Sequence, residues 1–193
     1  ASDSYASRDM LDLLRKFGTA EGDFQWAVAY HPYPQDLNDA KTWNDNKASF
    51  NMNTKLVTFK NLEVLSAWAQ KSENKYKKTI KRSVWLSENG TNSRTYEDMY
   101  LKEQAAGFAY AWKKLKKLDG IDAMQWHNWI DHPEEYGLRI GLRKFPNDPD
   151  DPMGRKLVWY AYQAAGTSTE DAVFEPYKAV IGIDNWNIIQ EVQ

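Results

Sequence analysis

The sequence predicts an α/β fold with parallel strands, and three observations carry that prediction. Short apolar runs, rich in β-branched and aromatic residues, alternate with segments of helical period. The chain between successive runs is long enough for a helical crossover, which makes neighbouring strands parallel. The side chains with most chemical capacity gather at the C-terminal ends of the runs, where parallel α/β folds keep their functional groups.

A first helix is expected over Ser7 to Phe17. Ser7 can cap it, Met10, Leu11, Leu14 and Phe17 recur on one face, and Gly18 can stop it. Phe24 to His31 (FQWAVAYH) reads as a buried strand, ended by Pro32 and Pro34, with a long polar loop running on to Lys55. Asn61 to Lys71 reads as a helix with Leu62, Leu65, Trp68 and Ala69 on one stripe. Ile80 to Ser87 is the second strand, closed by Glu88-Asn89-Gly90. Thr95 and Asp98 are spaced as a capping box for a long helix from Tyr96 to Leu118. Ile121 to His127 is the third strand. Arg155 to Ala165 is a further helix, and Asp184 to Gln190 a short last one. Three strands are too few for a closed barrel or a normal doubly wound sheet.

Composition bounds the function. The chain has 193 residues, 42% hydrophobic and 27% charged, with a net charge of -2, which fits a globular domain with a sizeable core. The near-neutral balance gives no field for nucleic acid or an anionic membrane, and no apolar run approaches the roughly 20 residues needed to span a bilayer. The lysine-rich stretches 71–81 and 113–117 read as solvated helix faces. With no cysteine, disulfides and thiol catalysis are excluded. Nine Trp, eleven Tyr and seven Phe make an aromatic-rich chain. It begins at Ala1 with neither an initiator Met nor a signal-peptide pattern, so it is expected to be a piece of a longer protein.

The strand ends hold His31-Pro32-Tyr33, Glu88-Asn89-Gly90 and Trp126-His127-Asn128-Trp129. Strand alternation would place Ala27, Ala29 and Tyr33 on the side of His31, and Val84 and Leu86 on the side of Glu88, with Trp85 toward the helices. For the third strand, parity leaves Trp126 and His127 both open. Taken alone, Glu88 also reads as a cap or a surface ion pair.

Together these motifs resemble the retaining glycoside hydrolases with a (β/α)8 barrel, glycosidase clan A. Trp85-Leu86-Ser87-Glu88-Asn89-Gly90 resembles their seventh strand, and His31-Pro32-Tyr33 the end of their sixth. Trp126-His127-Asn128-Trp129 falls where the eighth strand carries a sugar-stacking Trp, and Asp131 to Glu135 is similar to the acidic segment that follows it. The overall likeness (YHPYPQDL, SENGTNS, HPEEYGLRIGL) is to a little-characterised bacterial family of that clan.

The resemblance implies that residues 1–193 are the C-terminal portion of a TIM (β/α)8 barrel, about strands 6–8 and their helices, with the first five strands missing. It implies Glu88 as nucleophile, Tyr33 holding its carboxylate, His31, Asn89, His127 and Asn128 on sugar hydroxyls, and Trp126 and Trp129 as stacking platforms. Trp129 also reads as a packed loop aromatic. Carbohydrate would be the substrate, with no cofactor and no metal, and a periplasmic or extracellular location is favoured. No Asn-Glu dipeptide is present to supply the acid/base, and Glu63, Glu134 and Glu135 are poorly placed substitutes. The chain alone is therefore expected to be inactive, with partners in the missing barrel half or in self-association through exposed strand edges.

Other readings remain. A non-catalytic carbohydrate-binding domain fits the aromatic content equally well. His31, His127, Asp131 and His132 lack metal-site spacing, 147–151 lacks the calcium-loop pattern, and Asn89-Gly90-Thr91 matches a glycosylation sequon at a strand end.

Overall fold

The computed structural model describes residues 6–189, so Ala1 and the Gln190 end of the last expected helix lie outside the described residues. The elements are α1 (Ser7–Ala20), β1 (Val28–Tyr30), α2 (Leu62–Gln70), β2 (Val84–Asn89), α3 (Asp98–Leu115), β3 (Ala123–Trp126), α4 (Leu157–Ala164) and α5 (Glu170–Ile181). The strands form one parallel sheet in the order β1-β2-β3.

Local chemistry moves several boundaries. Ser7 does not cap α1; its hydroxyl lies 2.7 Å from the Tyr30 hydroxyl, and the helix continues past Gly18 to Ala20. β1 is shorter than expected because only Val28, Ala29 and Tyr30 pair with β2, and its outer edge has no partner among the described residues. β2 starts late because Arg82 is turned inward. Its guanidinium donates to Asn74 O, Phe24 O and Asp23 Oδ1 and stacks on Trp26, tying the entry of β2 to that of β1. Thr95 forms no capping box with Asp98; its hydroxyl accepts from Glu97 N at 3.1 Å, and α3 begins one residue later. The long loop before α2 is pinned by the Asn61 side chain, which accepts from Thr58 N and donates to Ser49 O and Leu56 O.

The sequence reading assigned no element to α5, which carries Pro176, a local helix breaker, within it. Tertiary packing overrides that signal: Phe174 and Tyr177 are buried against Phe108 of α3 and Val158 of α4. The last expected helix is a short 3-10 turn, Trp186–Ile189.

The sheet is covered on one side. Val28, Val84 and Leu86 pack against Leu62, Leu65 and Ala69 of α2 and Ala111 of α3. On the other side Ala27, Ala29 and Gln125 are exposed, and so is Trp85 at 48%. Beside the free edge of β1, the apolar face of α1 bounds a groove of about 830 Å³, lined by Met10, Leu14, Phe17, Phe24 and Trp26 among others.

Glu170 fastens α5 to α3. Its carboxylate accepts from Lys113 Nζ at 2.6 Å, Gly166 N at 2.7 Å, Trp112 Nε1 at 2.8 Å and Lys116 Nζ at 2.9 Å. Burial acts to raise its pKa, but these donors, Lys113 first, bring it down from 4.5 to about 2. A lowered carboxyl pKa stabilises the fold above the unfolded value and loses that effect as pH falls through the folded one. Stability should therefore drop between about pH 4.5 and pH 2. Glu170→Gln should remove on the order of 2–3 kcal/mol at neutral pH and flatten that acid limb, as read by denaturant melts against pH.

Candidate functional site

Parallel pairing brings the ends of β1, β2 and β3 to one rim. There a cleft of about 260 Å³ is lined by Tyr33, Glu88, His127, Glu135, Tyr136 and Ile140 among others. The groove beside α1 is larger, but its lining is mainly apolar and holds none of these groups.

Glu88 reaches the cleft through an irregularity in the strand. Val84 and Leu86 face the helices and are fully buried, so unbroken alternation would bury Glu88 with them. The β2–β3 register shifts between Leu86 and Asn89, as at a β-bulge, which re-aims a side chain. The Glu88 side chain is 44% exposed, whereas Asn89 is buried. The expectation that Val84 and Leu86 share the side of Glu88, with Trp85 toward the helices, is thereby corrected.

Tyr33 donates to Glu88 Oε1 at 3.0 Å. Burial raises the phenol pKa far above 10, and the hydrogen bond to Glu88 and the charges of Glu88 and Glu135 add to it. Tyr33 therefore remains a protonated donor to the carboxylate across the accessible pH range. His31 stands on the open side with Ala27 and Ala29, its Nδ1 3.9 Å from Glu88 Oε1, too far for a hydrogen bond.

At the end of β3, His127 Nε2 lies 3.1 Å from Glu135 Oε1, and Asn128 Nδ2 donates to the same oxygen at 3.1 Å. Glu135 is thus a second carboxylate in the cleft. Sequence reasoning set it aside, with Glu134 and Glu63, as poorly placed for the acid/base, because the return of the loop to the rim is not readable from local sequence. Glu134 also lines the cleft, while its backbone N–H donates to His132 Nδ1. Glu63, the other carboxylate considered, is buried and paired with Lys114, far from catalytic use.

Three residues expected on the sugar lie outside the cleft lining. Asn89 is a buried strut, its amide donating to Leu86 O at 2.8 Å and Gln125 O at 3.0 Å, so it joins β2 to β3. Trp126 packs into both cores, parallel to Phe59 and edge-on to Phe108, with its indole N–H on Ile140 O at 3.0 Å. Its register beside Asn89 puts it on the helix side, partly buried between the two cores. Trp129 is 61% exposed and packs edge-on to Trp159, outside the cleft lining. Gly90 is dictated by closeness: a Cβ there would stand 2.2 Å from Ile140 Cγ2 and 2.7 Å from His127 O.

Beneath the cleft, buried Lys156 donates to both Asp131 oxygens at 3.0 Å and to Arg139 O at 2.9 Å, while Tyr96 donates to Asp131 Oδ2 at 2.9 Å. Asp131 lies between Asn128 and Glu135, so this pair anchors the loop that carries them. Among the described residues, no group of three or more His, Asp or Glu is placed to hold a metal ion.

A solved family 39 glycoside hydrolase from the gut symbiont Bacteroides cellulosilyticus WH2 has the same fold over 83% of this chain, with a TM-score of 0.51 and 19% identity. The chain covers 30% of that enzyme's length. No curated protein matches the sequence. A family model described as a family of unknown function (DUF5722) matches residues 1–189, and the chain belongs to that family.

Proposed function

We propose that this chain bears the nucleophile half of a retaining glycoside hydrolase site, on about strands 6–8 of a (β/α)8 barrel. The observation that carries the reading is the Glu88 carboxylate, turned into the rim cleft and held by the Tyr33 phenol at 3.0 Å. The fold shared with a glycoside hydrolase supports it.

In this reading Glu88 attacks the anomeric carbon as the bond to the leaving oxygen breaks, through an oxocarbenium-like transition state. A water then cleaves the glycosyl-enzyme ester. Tyr33 keeps one carboxylate oxygen in place, leaving the other free to attack. Glu135 orients His127 and Asn128, which present donors to sugar hydroxyls. The proton for the leaving group comes from a carboxyl about 5–5.5 Å from Glu88. We assign it to a further strand, since Glu135 Oε1 is already engaged by His127 and Asn128.

The one-sided sheet supports the barrel assignment. α1 flanks the free edge of β1, and a right-handed crossover places the strand that precedes such a helix beside the strand that follows it. The α1 groove is then where that strand and its neighbours pack.

The test is covalent trapping of the full-length protein with 2-deoxy-2-fluoro glycosides, whose fluorine slows an oxocarbenium-like step. A single sugar adduct should appear on Glu88 by peptide mass spectrometry. An adduct on another carboxylate would overturn the assignment.

A further inference from the structure

Two arginines and two tryptophans form a second cluster beside the cleft. Residues 141–143 run alongside 128–131: Leu142 N donates to Asn128 O at 3.0 Å, and Asp131 N to Arg143 O at 2.9 Å. Arg143 also pairs with Arg155 across a short antiparallel bridge. The Arg143 guanidinium carbon lies 4.5 Å from the Trp159 ring centre and 5.9 Å from that of Trp129, and the Arg155 guanidinium 5.0 Å from Trp159. Like charges directly opposite on neighbouring strands repel, an arrangement that normally calls for a counter-charge.

None is supplied by the described residues. Neither arginine forms an ion pair with them; Arg143 Nη1 donates only to Met153 O, at 3.0 Å. The neighbouring carboxylates are committed, Asp131 to Lys156 and Asp151 to Lys144. The cluster also holds an excess of donors. Arg143 Nε and Trp159 Nε1 are buried, and neither finds an acceptor among the described residues. Next to them the Trp129 ring is largely exposed, one residue after Asn128 of the cleft.

The geometry points to a subsite for an anionic saccharide unit, with the sugar face on Trp129 and its carboxylate or sulfate ester on Arg143 and Arg155. An apolar ring face stacks on an indole, while guanidinium pairs with planar or tetrahedral oxyanions and also relieves the Arg143–Arg155 repulsion. The inference rests on the carbohydrate reading of the adjoining cleft and adds the chemistry of the saccharide.

The test is calorimetric binding to the full-length Glu88→Gln protein, which separates recognition from hydrolysis. Three probes of equal length are compared: a neutral gluco-oligosaccharide, an oligogalacturonate and a sulfated oligosaccharide, with inorganic sulfate as a fourth. At least one charged oligosaccharide should bind roughly tenfold or more tightly than the neutral one, and raised salt should narrow that gap. Which of the two wins distinguishes carboxylate from sulfate. Arg155 is exposed and its guanidinium touches the fold through the Trp159 ring, so Arg155→Gln should keep the fold and erase the preference. Trp129→Ala should weaken both charged and neutral sugars.

Equal binding of charged and neutral probes, or a preference that survives Arg155→Gln, overturns the inference. So does sulfate binding as tightly as the sulfated sugar, which marks an adventitious ion only. A charge preference that persists while Glu88→Gln retains hydrolysis would leave this subsite standing and remove the nucleophile assignment.

Discussion

Glu88→Gln in the full-length protein should lower glycoside hydrolysis by about 10³-fold or more while leaving the substrate KM within a few-fold. The amide matches the carboxylate in size and can still accept from the Tyr33 hydroxyl, so the cleft keeps its shape. What it lacks is the negative charge and the attacking oxygen, both used only as the glycosyl–enzyme bond forms. A loss of that size corresponds to roughly 4 kcal/mol of transition-state stabilisation, more than an orienting hydrogen bond supplies. A variant within tenfold of the parent would end the nucleophile assignment and favour the carbohydrate-binding alternative. Residues 1–193 by themselves should show no turnover, since the leaving-group acid is assigned to a further strand of the barrel. Turnover by that isolated chain would instead bring forward Glu134 or Glu135, the other carboxylates of the cleft, as the acid.

Lys156→Met should cost about 3–5 kcal/mol of stability, the range for removing one partner of a buried ion pair. Lys156 and Asp131 have fully buried side chains. The ammonium meets both carboxylate oxygens and Arg139 O, and burial lowers its pKa to about 8, against the opposing pull of Asp131. Burial likewise raises the Asp131 carboxyl, opposed chiefly by Lys156. Methionine fills the space but leaves that carboxylate with the Tyr96 hydroxyl and the Gly141 N–H as its donors.

In the variant the folded pKa of Asp131 should rise further above its unfolded value. A group raised in this way favours the fold below the unfolded pKa and loses that benefit as pH rises through the folded one. The deficit should therefore be smallest in acid and largest at neutral pH, as read by denaturant melts. Asp131→Asn combined with Lys156→Met should recover much of the loss, because no unpaired charge then remains buried. A neutral-pH loss below about 1 kcal/mol would show that the pair does not anchor the loop.

Much of the fold was legible because its signals are local. Three apolar runs separated by helix-length chain defined a parallel three-stranded sheet, and their C-terminal ends located the rim where His31, Tyr33, Glu88 and His127 meet. At that rim the Tyr33 hydroxyl donates to the Glu88 carboxylate. Strand lengths were less legible, because a strand lasts only where it has a neighbour: β1 pairs over three residues although its apolar run is longer. α5 was not read from sequence; it forms despite the local penalty of Pro176 because Phe174 and Tyr177 are buried in the second core.

The sequence by itself determined the order of the three strands and the helices between them, the parallel connection and the chemical character of the rim. Tertiary structure alone decided which way the rim residues turn. The register shift in β2 frees Glu88 from the buried side of Val84 and Leu86, the β3 register commits Trp126 to the core, and folding back of the β3 loop brings Glu135 to His127 and Asn128. Period and residue type are properties of a short stretch of chain. Register, irregularity and loop return depend on partners distant in sequence, and those partners set the direction of each functional side chain.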